Sequence, residues 1–159
     1  PLEEDLTLAG AVTANLKVSI TGTDADFVVK MIDVFPDDFK YPGTAPAAGR
    51  SAGGAYPMDG YQMLVRGEIM RGKFRNSFSA GSGGETPAPF KPGSVETVKF
   101  ELPDVAHTFK KGHRLMIQIQ SSWFPLADRN PQQFMNIYEA KETDFKKATI
   151  KIYHDAANP

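Results

Sequence analysis

The sequence predicts an all-β fold, a jelly-roll β-sandwich. Three observations carry that expectation. Short runs alternate apolar and polar residues at every second position, as strands with one face on a core do. No long amphipathic helix separates them, which excludes a parallel α/β sheet. Long loops rich in Gly, Pro and Ser join runs that do not read as simple hairpins, and this favours a jelly roll over a meander.

Taken in order, Leu6-Thr7-Leu8-Ala9-Gly10 reads as a short extended piece ending at a glycine. Residues 11–20 form the first full strand, with Val12, Ala14, Leu16, Val18 and Ile20 inward and Thr13, Asn15, Lys17 and Ser19 outward. Turn chemistry at 21–26 leads into 27–34, rich in β-branched residues and apolar on both faces, hence a strand in the middle of a sheet. Residues 39–60 have no period and read as a long functional or mobile loop. Strand pattern returns at 61–70 with a basic rim to Arg75, and a second loose segment covers 76–93.

Residues 94–102 form the next strand, with Val98, Phe100 and Leu102 on one face, and Pro103-Asp104 is expected to turn the chain. Residues 112–125 read as the pivotal, central strand: Leu115, Ile117 and Ile119 share a core face, and Trp123-Phe124-Pro125 closes it with a contact surface. Asn130-Pro131 carries the grammar of a helix start, cap residue then proline, so one short helical insertion is expected before the last strand at 148–154. No internal repeat is present.

Length and charge bound the function. A chain of 159 residues makes one domain, placed at 1–155 with a tail at 156–159, and buries roughly 70% of its unfolded surface. Net charge is −1 with basic residues dispersed, so nucleic acid is not expected as a partner. No apolar run is long enough for a spanning helix, and a membrane partner is not expected either. Without cysteine, disulfides and thiolate zinc sites are excluded, and the compartment stays unread. The first residue, Pro1, suggests a segment of something longer.

Few residues offer chemistry. Gly49-Arg50-Ser51-Ala52-Gly53 matches G-x-S-x-G, but that motif works only where a buried strand runs into a helix. Here Pro and Gly surround it on both sides, so a loop is the better reading. His107, His113 and His154 lack the spacing of metal ligands and have no evident carboxylate partner in the sequence. Asp24 with Asp26, and Asp33 with Asp37 and Asp38, could supply oxygens to calcium, yet turns use the same residues for local hydrogen bonds. No metal and no cofactor is expected. Tyr41, Tyr56, Tyr61 and Trp123 could stack on sugars, so an independent carbohydrate-binding module stays open as the alternative.

Several co-linear motifs carry a resemblance. Residues 1–10 (Pro-Leu-Glu-Glu-Asp-Leu-Thr-Leu-Ala-Gly), 24–30 and 33–37 (Asp-Val-Phe-Pro-Asp) come first. Gly112-His113-Arg114-Leu115, Ser121-Ser122-Trp123-Phe124-Pro125, Arg129-Asn130-Pro131-Gln132 and Asn136-Ile137-Tyr138-Glu139-Ala140 come after them in the right order. Together they resemble the C-terminal domain of X-Pro dipeptidyl-peptidase-like serine hydrolases, the group of cocaine esterase and α-amino-acid ester hydrolase. The resemblance implies a galactose-binding-like jelly roll packed on an α/β-hydrolase domain and its helical cap. The family's Ser-His-Asp triad lies in that hydrolase domain and matches no position here, so no catalytic residue is carried over. The resemblance therefore implies a non-catalytic domain of an acyl hydrolase. Its partner is the hydrolase domain of the same parent chain, with self-association of the fragment as a second option. Trp123, Phe124 and Arg129 are the candidate domain-interface residues.

Overall fold

A computed structural model describes residues 1–40, 57–77 and 86–157. These form six strands: β1 (Leu6–Ile20), β2 (Asp26–Val34), β3 (Gln62–Arg71), β4 (Glu96–Phe109), β5 (Arg114–Gln120) and β6 (Ile150–Tyr153). They make two antiparallel three-stranded sheets, β4-β1-β6 and β3-β2-β5. The chain changes sheet between β1 and β2, β3 and β4, β4 and β5, and β5 and β6. That alternation makes a sandwich rather than a meander, as expected.

β1 runs unbroken from Leu6, because the glycine expected to end its first piece instead absorbs a register shift. Gly10 takes φ 105, a value only glycine adopts freely. On β1 one residue separates Gly10 from Val12, while two, Pro103 and Asp104, separate their partners Leu102 and Val105. Pro103-Asp104 is therefore a bulge inside β4 and not a turn. A proline is tolerated there because β4 is an edge strand. β2 is central in its sheet, as its two apolar faces required, and all its residues but Lys30 are buried.

β5 corrects an expectation. It is an edge strand bonded to β2 alone, not the centre of its sheet. The helical insertion is also reduced, to two single 3-10 turns at Ile137–Glu139 and Glu142–Asp144. Asn130 does cap the amide of Gln132 (2.8 Å), but Gln132 then adopts φ 64, which no right-handed helix can continue.

The core lies between the sheets in two clusters. The larger joins Val18, Ile20, Phe27, Val29, Val98 and Phe100 with their neighbours. The smaller joins Met31, Val105 and Phe109, with Leu6, Leu8 and Val12 against it. One buried cation pins the loop before β4 to this core. Arg75 Nη1 donates to the carbonyls of Gly72 (3.1 Å) and Ala88 (2.9 Å), and Nη2 donates to that of Pro89 (3.0 Å). Its Nε donates to Glu96 Oε2 (2.9 Å), and the guanidinium lies 3.7 Å from the Phe90 ring centroid. Four acceptors and a π face neutralise what would otherwise be a costly buried charge.

Candidate docking surface

The segment after β5 places the three candidate interface residues differently. Trp123 turns back onto the β3-β2-β5 sheet, with Lys30 Nζ 4.2 Å from its ring centroid. Gly67 of β3, opposite Lys30 in the register, lets the indole approach. A Cβ at Gly67 would stand 2.9 Å from Trp123 Cη2, inside normal contact. The indole is thus partly buried against its own domain. The Ala127 amide donates to the Trp123 carbonyl (3.0 Å), closing a turn around a cis Phe124–Pro125 bond. Phe124 and Leu126 on this turn remain 65% and 69% exposed. Arg129 is exposed too, its guanidinium 4.6 Å from the Phe145 ring. Phe124 and Leu126 thus stand open on the turn that follows the anchored Trp123, while Arg129 lies against Phe145. Leu126 was not singled out from the sequence, although two large apolar residues flanking Pro125 offered the signal.

Three of the acidic residues behave unlike turn residues, whereas Asp37 and Asp38 do lie exposed in a turn. Asp24, Asp26 and Asp33 are all buried. Asn130 Nδ2 donates to both Asp24 Oδ2 (3.1 Å) and Asp26 Oδ1 (2.8 Å), tying the segment after β5 to the start of β2. Burial pushes the Asp26 carboxyl up to about 6, against the weaker opposing pull of Asn130 and Arg71. Burial raises Asp24 as well. An amide donor holding both carboxylates leaves a cation no oxygen-lined seat between them. Among the described residues no group of three His, Cys, Asp or Glu side chains is placed to hold a metal.

Two histidines do find the carboxylate that the sequence did not reveal. Asp33 Oδ2 lies 2.9 Å from His107 Nε2, and Oδ1 lies 2.8 Å from His113 Nδ1. His107 sits in β4, and His113 is buried against Phe35, their ring centroids 4.4 Å apart. The contacts span sequence separations of 74 and 80 residues, so no local motif could announce them. Asp33 spends both oxygens fixing β4 and the approach to β5 onto β2. Among the described residues no nucleophile is bonded to the trio, and the arrangement ties the two sheets together. His154 is exposed. The G-x-S-x-G string at 49–53, Tyr41, Tyr56 and most of the two loose loops lie outside the described residues.

The described part of the chain thus combines a partly buried Trp123 with an outward apolar turn. The family model for the X-Pro dipeptidyl-peptidase C-terminal non-catalytic domain matches residues 1–159. The chain belongs to this family. It is 31% identical over 158 residues to cocaine esterase of Rhodococcus sp. (strain MB1 Bresler), covering 99% of this chain and 23% of that protein. The crystal structure of an aminopeptidase from the marine sediment archaeon Thaumarchaeota archaeon matches with TM-score 0.82 and 41% identity, over 100% of this chain and 23% of that one. A selenomethionine-labelled α-amino acid ester hydrolase matches with TM-score 0.79 and 42% identity, over 96% and 22%. The domain thus spans less than a quarter of the length of these relatives. Family membership makes it a non-catalytic domain, and its sandwich is the one these hydrolases share.

Proposed function

We propose that residues 1–155 act as one docking domain on the catalytic α/β-hydrolase domain of a longer polypeptide. That parent would be a serine hydrolase cleaving esters or amides of small acyl or aminoacyl groups. The observation that carries this reading is the Phe124–Leu126 turn, two large apolar side chains left exposed directly after Trp123, which is anchored on its own sheet. Aromatic side chains of this kind cover about 150–250 Å² each when buried, and surfaces meant for other domains are where such residues stay open. The family supports it, since its members named above are roughly four times as long as this chain. The cleft between β5 and β6 offers no sugar platform, for its one aromatic, Phe27, is fully buried.

Substituting Phe124 by Ser tests the reading. In the 159-residue chain the melting temperature should move by less than about 2 °C, because a mostly exposed side chain contributes little to folding. In the full-length polypeptide, limited proteolysis should separate the domain from the rest several-fold faster than in wild type. Equal proteolysis of the two full-length proteins would reject this surface.

A further inference from the structure

Among the described residues the two sheets of the sandwich meet closely on one side and less completely on the other. β3 packs against β4, and β1 lies over β2, so the third strands, β5 and β6, should close the remaining side. They do so only in part. β6 is four residues long and pairs with β1 from Lys17 to Ile20. Among the described residues no strand pairs with the same edge of β1 over 6–16, although β4 pairs with the other edge throughout. β6 runs toward that edge but stops at Tyr153, and Asp155 Oδ1 then accepts the Ala157 amide in a turn.

The consequence falls on β5. Leu115, Ile117 and Ile119 stand opposite Asp33, Met31 and Val29 and share their inward face. Those three β2 residues are buried, yet Leu115, Ile117 and Ile119 remain 39%, 52% and 36% exposed. Ile119 still meets β6, across a cleft of about 300 Å³ that Ile150 and Ile152 also line. Met31, the partner of Ile117, packs with Leu8 and Val12 of β1, so Ile117 lies at the level where, among the described residues, only β4 pairs with β1. These aliphatics on the interior face stay partly exposed, and among the described residues no strand lies above Leu115 and Ile117.

We propose that an extended segment of the parent polypeptide, outside these 159 residues, pairs with β1 along 6–16 and covers Leu115 and Ile117. This rests on the reading of the chain as one domain of a longer hydrolase, and deepens it by naming a second contact. A strand is the occupant because β1 presents a row of backbone groups that no described strand engages, and the seven residues of β5 present a flat apolar stripe. Its alternate residues should be apolar, facing β5, and the others polar, facing solvent. The parent polypeptide is the source because a second copy adding its own β5 edge would lengthen the stripe rather than cover it. Relatives roughly four times the length of this chain leave ample sequence to supply the strand.

Ile117→Asp in both the 159-residue chain and the full-length polypeptide provides the test. The melting temperature of the chain should shift by less than about 2 °C, and that of the full-length protein should fall by about 6 °C or more. Amide exchange in the two wild-type proteins is read alongside, so the test survives a variant that fails to fold. Backbone amides within 6–16 that point away from β4 should be protected about 100-fold more in the full-length protein. Equal protection, or equal shifts, overturns the proposal. Sedimentation showing that the chain alone is a dimer, dissolved by Ile117→Asp, also overturns it by making a second copy the occupant. Should Phe124→Ser loosen the full-length protein while Ile117→Asp leaves it unchanged, the docking reading stands and the strand falls. The reverse result keeps the strand and rejects the Phe124 turn.

Discussion

Replacing Arg75 by Ala should destabilise the domain by about 3–5 kcal/mol, the range for stripping one partner from a buried ion pair. The guanidinium satisfies the carbonyls of Gly72, Ala88 and Pro89 and the Glu96 carboxylate at once. Alanine takes the guanidinium donors from the carbonyls of Ala88 and Pro89 and the cation from Glu96 and the Phe90 ring, leaving Gly72 only the residue-75 amide and Glu96 only the Lys91 amide. For a domain of this size the melting temperature should drop by about 6–20 °C. Lysine keeps the charge but has no planar fork to serve four acceptors, so Arg75→Lys should restore only part of the loss. Urea unfolding monitored by Trp123 fluorescence measures all three proteins. A loss below about 1 kcal/mol for the alanine variant would show that this network does not hold the loop before β4.

The second large effect has the opposite sign. Asp26 titrates near 6 in the folded domain against 3.8 unfolded, because burial disfavours its charge. A raised folded value means that the folded state binds the proton first. The associated stability is fully present below about 3.8 and is lost as pH rises through about 6. Holding the carboxylate ionised at neutral pH therefore costs about 3 kcal/mol, from a displacement near two units. Asp26→Asn removes the charge and keeps an oxygen to accept the Asn130 amide. It should stabilise the domain by about 1–3 kcal/mol at pH 7, and the gain should vanish near pH 4. Paired denaturation curves across that window give the difference directly. A variant less stable than wild type at pH 7 would mean that Arg71 compensates the Asp26 charge more fully than its 3.9 Å separation suggests.

Both sites depend on burial and on partners distant in the chain, which the sequence does not disclose. Alternation in β1 and β4 and the doubly apolar β2 are local signals, so the strands and the central place of β2 were legible. The pattern of β5 shows which residues share a face, but not whether a second layer lies above that face. Its three aliphatics therefore read as core when they line an open edge. At Asn130-Pro131 the local grammar promised a helix, but the amide of Asn130 serves two buried carboxylates at the distant start of β2, and Gln132 leaves the helical region. Tertiary demand overrode local preference there. The Asp33 tie to His107 and His113, and the fit of Trp123 on Gly67, depend on strands brought together only by folding. Of the three interface candidates, sequence position alone could not separate an anchored Trp123 from an exposed Phe124.

Docking on a hydrolase domain is tested most directly by producing the 159-residue chain and the catalytic domain of its parent as separate polypeptides and mixing them. Analytical ultracentrifugation should show a one-to-one complex, weakened several-fold when the chain carries Phe124→Ser. Two species sedimenting independently at concentrations of tens of micromolar, roughly the range where even small transient interfaces associate, would contradict a docking role.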